Sequence, residues 1–128
     1  MEPVVALVVL VALLEYIAFG MLVGRARGRY GVSAPAVTGH EIFERYHRVH
    51  QNTLELLVVF VPAIWLFGAY VDANWAAALG LVYVAGRILY LRGYVAGPAK
   101  REFGFGLSVL PIIALVGGAL WGVARKLM

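Results

Sequence analysis

Four long apolar stretches decide what this chain can become. They run from about Pro3 to Val23, Glu41 to Tyr70, Trp75 to Ala96 and Phe103 to Val123. Each is long enough to cross the roughly 30 Å hydrocarbon core of a bilayer as a helix. In lipid a backbone segment must satisfy its own hydrogen bonds, so an isolated apolar stretch of this length is helical. The chain has 128 residues, 62% hydrophobic and only 14% charged, whereas a soluble domain is about 25% charged. The expected architecture is an all-α integral membrane protein, a four-transmembrane-helix bundle that uses residues 1–128 as one domain.

The connections set the topology. Glu2 stands where a cleaved signal would carry Lys or Arg, and the first stretch runs into Gly24-Arg25-Ala26-Arg27-Gly28-Arg29. That is a stop-transfer pattern, so the first span is read as retained. Arg25 to His40, with Gly28, Gly31, Ser33, Pro35 and Gly39, reads as a basic loop. Pro62 is a candidate kink that a membrane helix tolerates. Val71-Asp72-Ala73-Asn74 reads as a tight turn, and Gly97-Pro98 stops the third span. Four spans return both termini to one side. Arg25, Arg27, Arg29, Arg45, Arg48, Arg92, Lys100 and Arg101 then share the other side, against Arg125 and Lys126 at the first, and the positive-inside rule puts the arginine-rich face in the cytoplasm. The brevity of the chain and its termini points to a bacterial inner membrane.

The net charge of +4 and pI near 9.7 do not imply nucleic acid. The arginines adjoin apolar runs and form no basic face interleaved with aromatics. There is no cysteine, so disulfides and protein thiolates are excluded, and any sulfur nucleophile must arrive with a ligand.

Two polar stripes interrupt the apolar pattern. Arg45, Arg48, Asn52 and Glu55, spaced i, i+3, i+7, i+10, fall within roughly 80° of arc on the second helix. Arg87, Tyr90, Tyr94 and Arg101 fall within about 60° on the third, if that helix continues past Pro98. Polar groups facing lipid are costly, so such stripes must meet protein, water or a ligand. Guanidinium grips carboxylate in a bidentate fork, and Glu55 accepts from an ammonium group. The set suits a small zwitterion with excess negative charge.

Several of these groups also have purely structural readings. Arg25, Arg29 and Arg45 are expected at lipid headgroups. Arg87 lies deeper and is expected to ion-pair with Glu55 or Glu15, since an unpaired buried charge is costly. Tyr90 and Tyr94 alone would read as an interfacial belt, and Trp65, Trp75 and Trp121 as lipid-facing anchors. His47 and His50 have metal-ligand spacing but lack a third ligand, so no metal is expected.

The run Val32-Ser33-Ala34-Pro35, Thr38-Gly39, Phe43-Glu44-Arg45, Arg48 and His50-Gln51-Asn52-Thr53-Leu54-Glu55 resembles the MAPEG family, the membrane-associated proteins in eicosanoid and glutathione metabolism. Gly86-Arg87-Ile88-Leu89-Tyr90, Gly93-Tyr94 and Lys100-Arg101 match its second signature. The likeness is to type-3 microsomal glutathione transferases through His50 to Glu55, and to type-2 enzymes and leukotriene C4 synthase through the Val32 loop. It implies a homotrimer with glutathione, the co-substrate, bound between subunits at the cytoplasmic boundary. The implied glutathione contacts are Arg27, Arg48, Asn52, Glu55, Tyr90, Tyr94 and Arg101, with His50 standing where one branch has a glutamine. Gly28 replaces an arginine and Leu56 a tyrosine of the leukotriene-synthase branch, which argues against leukotriene synthesis.

The resemblance implies a glutathione S-transferase, with glutathione peroxidase activity as a companion. A thiol of pKa near 8.5 is mostly protonated at neutral pH and reacts as the thiolate. A nearby guanidinium favours the anion. Arg101 is the implied catalytic residue, with Tyr94 the runner-up as hydroxyl donor. The second substrate, a lipophilic electrophile or lipid hydroperoxide, would arrive from membrane lipid. Two alternatives remain. One is a non-catalytic lipid-binding scaffold of the same family. The other is a small multidrug transporter using Glu15, although a cation pump needs an acidic lumen and the charges here are mostly arginines.

Overall fold

The computed structural model describes residues Met1–Met128. Helix α1 spans Pro3–Tyr30, α2 Glu41–Tyr70, α3 Ala73–Ala96 and α4 Glu102–Leu127, with a 3-10 turn over Pro98–Arg101 between the last two. All four helices contain an 18-residue window of mean hydropathy between 1.3 and 2.5. The chain is therefore an integral membrane protein built on four spanning helices.

Local chemistry sets the boundaries. Pro3 opens α1, where a missing N–H costs nothing. The helix closes at Gly31, whose φ of 68° lies in the left-handed region that glycine adopts without strain. It therefore runs through Arg25–Tyr30, which the sequence marked as loop. Nothing there stops a helix: Ala and Arg are strong formers, the cost of Gly24 and Gly28 is about 1 kcal/mol each, and Arg27 and Arg29 meet the negative end of the helix dipole. The loop shrinks to 31–40. His40 caps α2, its Nδ1 accepting from the Ile42 N–H at 3.1 Å, and the helix continues unbroken through Pro62. Asp72 caps α3 by accepting from the Trp75 N–H at 2.8 Å, leaving Val71 and Asp72 as the whole turn.

Helix α3 ends at Ala96, so Arg101 does not continue its polar face. Gly97 and Pro98 break the helix, and the 3-10 turn folds Arg101 back by a different route. The core is shared by all four helices: Val5, Val8 and Ala12 from α1, Phe60 and Ile64 from α2, Tyr83 from α3, and Ile112 and Leu115 from α4. Leu7, Leu14, Val58, Leu120, Trp65, Trp75 and Trp121 are exposed, as a lipid-facing surface requires, and the three tryptophans lie where the sequence placed them. Helices α3 and α4 meet backbone to backbone. A Cβ on Gly86 would lie 2.6 Å from the Leu107 carbonyl carbon, and one on Gly104 would lie 2.2 Å from the Tyr90 nitrogen. Small residues that permit such approach are a common means of membrane helix packing. Here the approach presses Arg87 and Tyr90 against the start of α4.

Candidate functional site

The site is built outward from Arg87. Its side chain is fully buried, and its partners come from two other helices. Nε donates to Ser108 Oγ of α4 at 2.9 Å. Nη1 donates to Asn52 Oδ1 at 2.7 Å and to Thr53 Oγ1 at 3.1 Å, both on α2. The two hydroxyls can accept because each gives its own hydrogen to a carbonyl one turn back, Ser108 to Gly104 and Thr53 to Val49, both at 2.7 Å. The expected ion pair of Arg87 with Glu55 or Glu15 is not made; the structure's salt bridge joins Arg45 to Glu41. Glu55 points outward and is exposed, and three neutral oxygens already hold the guanidinium edge nearest α2 and α4.

From Arg87 an aromatic path leads to the boundary. Its guanidinium lies 4.4 Å from the centroid of the Tyr90 ring, the Tyr90 and Tyr94 rings are 5.6 Å apart, and the Arg101 guanidinium is 5.9 Å from Tyr94. Arg101 is exposed, and its Nη1 donates to the Pro98 carbonyl at 2.8 Å. Asn52, Arg87, Tyr90, Tyr94 and Arg101 thus form a continuous row, with Arg48 within electrostatic reach of Tyr90. Arg48 and Glu55 stand on the outer face of α2, exposed, with Asn52 half-buried between them.

Arg45, one turn before Arg48, departs from its expected place among headgroups. Its Nη1 donates to the Val95 carbonyl at 3.0 Å and its Nη2 to Glu41, so it ties α2 to the end of α3. Arg25 and Arg29 remain exposed and line a cleft with Tyr30 and Tyr46. Arg27 donates to the Ala36 carbonyl at 2.6 Å and covers the Phe43 ring at 4.8 Å, bracing the loop. His50 is not brought to the Arg48–Glu55 face. Its ring stacks on Tyr16 at 4.4 Å and packs against Gly20 of α1, because two residues after Arg48 is about 200° around a helix.

Sequence reasoning missed Thr53 and Ser108. The available signal was a lone hydroxyl in the apolar run of α4, which in a bilayer needs a partner.

The MAPEG family model matches residues 5–121 of this chain. The chain is 48% identical over 122 residues to an uncharacterised protein of Synechocystis sp., covering 95% of this chain and 89% of the relative. Human microsomal glutathione S-transferase 2 is 41% identical over 112 residues, 86% of this chain and 75% of the relative. Guinea pig leukotriene C4 synthase is 37% identical over 104 residues, 79% and 69% respectively. With the family match spanning nearly its whole length, four membrane helices and relatives of this closeness, the chain belongs to the MAPEG family.

Proposed function

We propose that this protein is a membrane-bound glutathione S-transferase that also reduces lipid hydroperoxides. It takes glutathione as co-substrate and its second substrate from the bilayer. The observation that carries the reading is the exposed polar face of α2. Glu55 is exposed beside Val58 and Val59, which are 68% and 44% exposed to what is otherwise lipid. A charged side chain on such a surface is costly unless covered. A ligand and a second copy of the chain, both seated there, remove that cost. The same face of α2 continues inward as an apolar groove lined by Val59, Pro62, Leu66, Val116 and Leu120, which suits a neighbouring helix. An interface on this face is compatible with the homotrimer that the family resemblance implies, with sites between subunits. The arginine-rich ends of the helices support an orientation in which they face the cytoplasm of a bacterial inner membrane.

In this reading Arg48 and Arg27 grip glutathione carboxylates, Glu55 accepts from its ammonium group, and Asn52, Tyr90 and Tyr94 complete the cradle. His50, engaged with Tyr16, shapes α1 against α2. Arg101 stabilises the thiolate. In conjugation the thiolate sulfur attacks an electrophilic carbon and a C–S bond forms. The displaced electron pair leaves with the leaving group or moves onto the acceptor, and the thiol proton passes to water. In hydroperoxide reduction the thiolate attacks the peroxide oxygen and the alkoxide leaves as alcohol. A second glutathione thiol then resolves the sulfenic acid to a disulfide and water.

Isothermal titration of the detergent-purified protein with glutathione tests this reading. Saturable binding that is lost in Arg48→Ala and Glu55→Gln is expected, followed by turnover of electrophiles or lipid hydroperoxides. Absence of binding heat refutes the transferase reading.

A further inference from the structure

One buried group takes no part in the chemistry above. Both carboxylate oxygens of Glu15, on α1, are buried without a hydrogen-bond partner, as are the Tyr83 hydroxyl and Nη2 of Arg87. Arg87 and Tyr83 are wholly buried, and Tyr83 is stacked on Phe60 at 4.0 Å. Glu15 is within electrostatic reach of both Arg87 and Tyr83. Three polar side chains from two helices therefore converge in the bundle interior, too far apart for a direct ion pair and too polar to stay dry. Buried water occupies such places when it finds two to four polar partners. Here a guanidinium Nη2, two carboxyl oxygens and a hydroxyl, all buried and unpartnered, supply that number.

The other edge of the same guanidinium holds Asn52. Because Arg87 Nη1 occupies Asn52 Oδ1, the amide is oriented so that only its Nδ2 hydrogens remain for a ligand. The partners of Arg87 on α2 and α4 are all neutral, its Nη2 has none, and Glu15 is the acidic side chain within electrostatic reach of it. We propose that Glu15 is a positioning residue: through internal water and Arg87 it fixes the Asn52 amide as a donor, and so sets how tightly the site holds an acceptor group of glutathione, a carbonyl or a carboxylate. Glu15 itself touches no substrate.

This inference rests on the transferase reading, and a double-mutant cycle on glutathione affinity separates the two. By titration calorimetry, Glu15→Gln weakens glutathione binding by about tenfold while leaving kcat at saturating glutathione near wild type. In an Asn52→Ala background the same Glu15→Gln change has little further effect, since the amide it orients is gone. Tyr83→Phe, which keeps the ring on Phe60 and removes only the hydroxyl, weakens binding in the same direction and serves should Glu15→Gln fail to fold. Losses that add independently in the Asn52→Ala background, or unchanged affinity in both single variants, overturn the inference and leave the transferase standing. A wild-type protein that takes up no glutathione overturns both.

Discussion

Replacing Arg87 with methionine tests the centre of the structure most directly. The substitution roughly preserves volume, so overpacking and cavity costs stay small, and what is lost is polar. Three hydrogen bonds disappear, to Ser108, Asn52 and Thr53. Side-chain bonds inside membrane bundles average about 0.6 kcal/mol each, which makes about 2 kcal/mol. Ser108 and Thr53 keep the bonds they donate to Gly104 and Val49, so neither hydroxyl is orphaned. Glu15 makes no direct contact with Arg87, so the substitution breaks no ion pair in the interior. The expected loss for Arg87→Met is therefore about 2 kcal/mol, the sum of the three bonds. Adding Glu15→Leu should return part of that loss, because it removes a buried carboxyl group that has no hydrogen-bond partner. Equilibrium unfolding in mixed detergent and dodecyl sulfate, followed by helical circular dichroism, measures both variants. A loss under about 1 kcal/mol would refute the three bonds as the hold on Arg87, and a second substitution that deepens the loss would refute an unpartnered Glu15.

Other outcomes follow from the same geometry. Arg101→Ala should raise the pKa of bound glutathione thiol by about one unit while sparing binding, read by thiolate absorbance titration; unchanged absorbance removes Arg101 as the activator. Arg45→Ala should cost about 1 kcal/mol of stability by freeing the Val95 carbonyl, whereas Arg48→Ala should stay within about 0.5 kcal/mol of wild type yet lose glutathione affinity. Gly104→Ala should destabilise the fold by about 1–3 kcal/mol and lower activity with it, because the new methyl meets the Tyr90 backbone rather than a side chain that could rotate away.

Much of the fold was legible because lipid leaves so few options. A run such as Val4 to Val23 can only be a helix there, and the caps at His40 and Asp72 obey ordinary first-turn chemistry. The misread boundaries were those where the signal was compositional. Arg25–Tyr30 looked like a loop because it is charged, but charge does not break a helix, and only the glycine at 31 does. Arg101 was assigned to the face of α3 by periodicity, and the chain reaches nearly the same place by folding back through Gly97 and Pro98, which periodicity cannot describe.

The arginines show the deeper limit. Arg45, Arg48 and Arg87 are chemically identical and two of them are one turn apart, yet the structure uses one as a strap to α3, exposes another and buries the third. What separates them is what stands opposite: a helix-end carbonyl for Arg45, open surface for Arg48, and three oxygens on α2 and α4 for Arg87. A sequence reports the side chain and never its partner, so the stripe was visible while its division of labour was not. The same reasoning gives the direction in which the site opens. Arg45 and Arg87 find acceptors within their own chain, and Arg48 and Glu55 are left for something outside it. A pair of opposite charges, set about two helical turns apart on a surface otherwise fit for lipid, is what the proposed function needs: a ligand that carries both signs, covered from the bilayer.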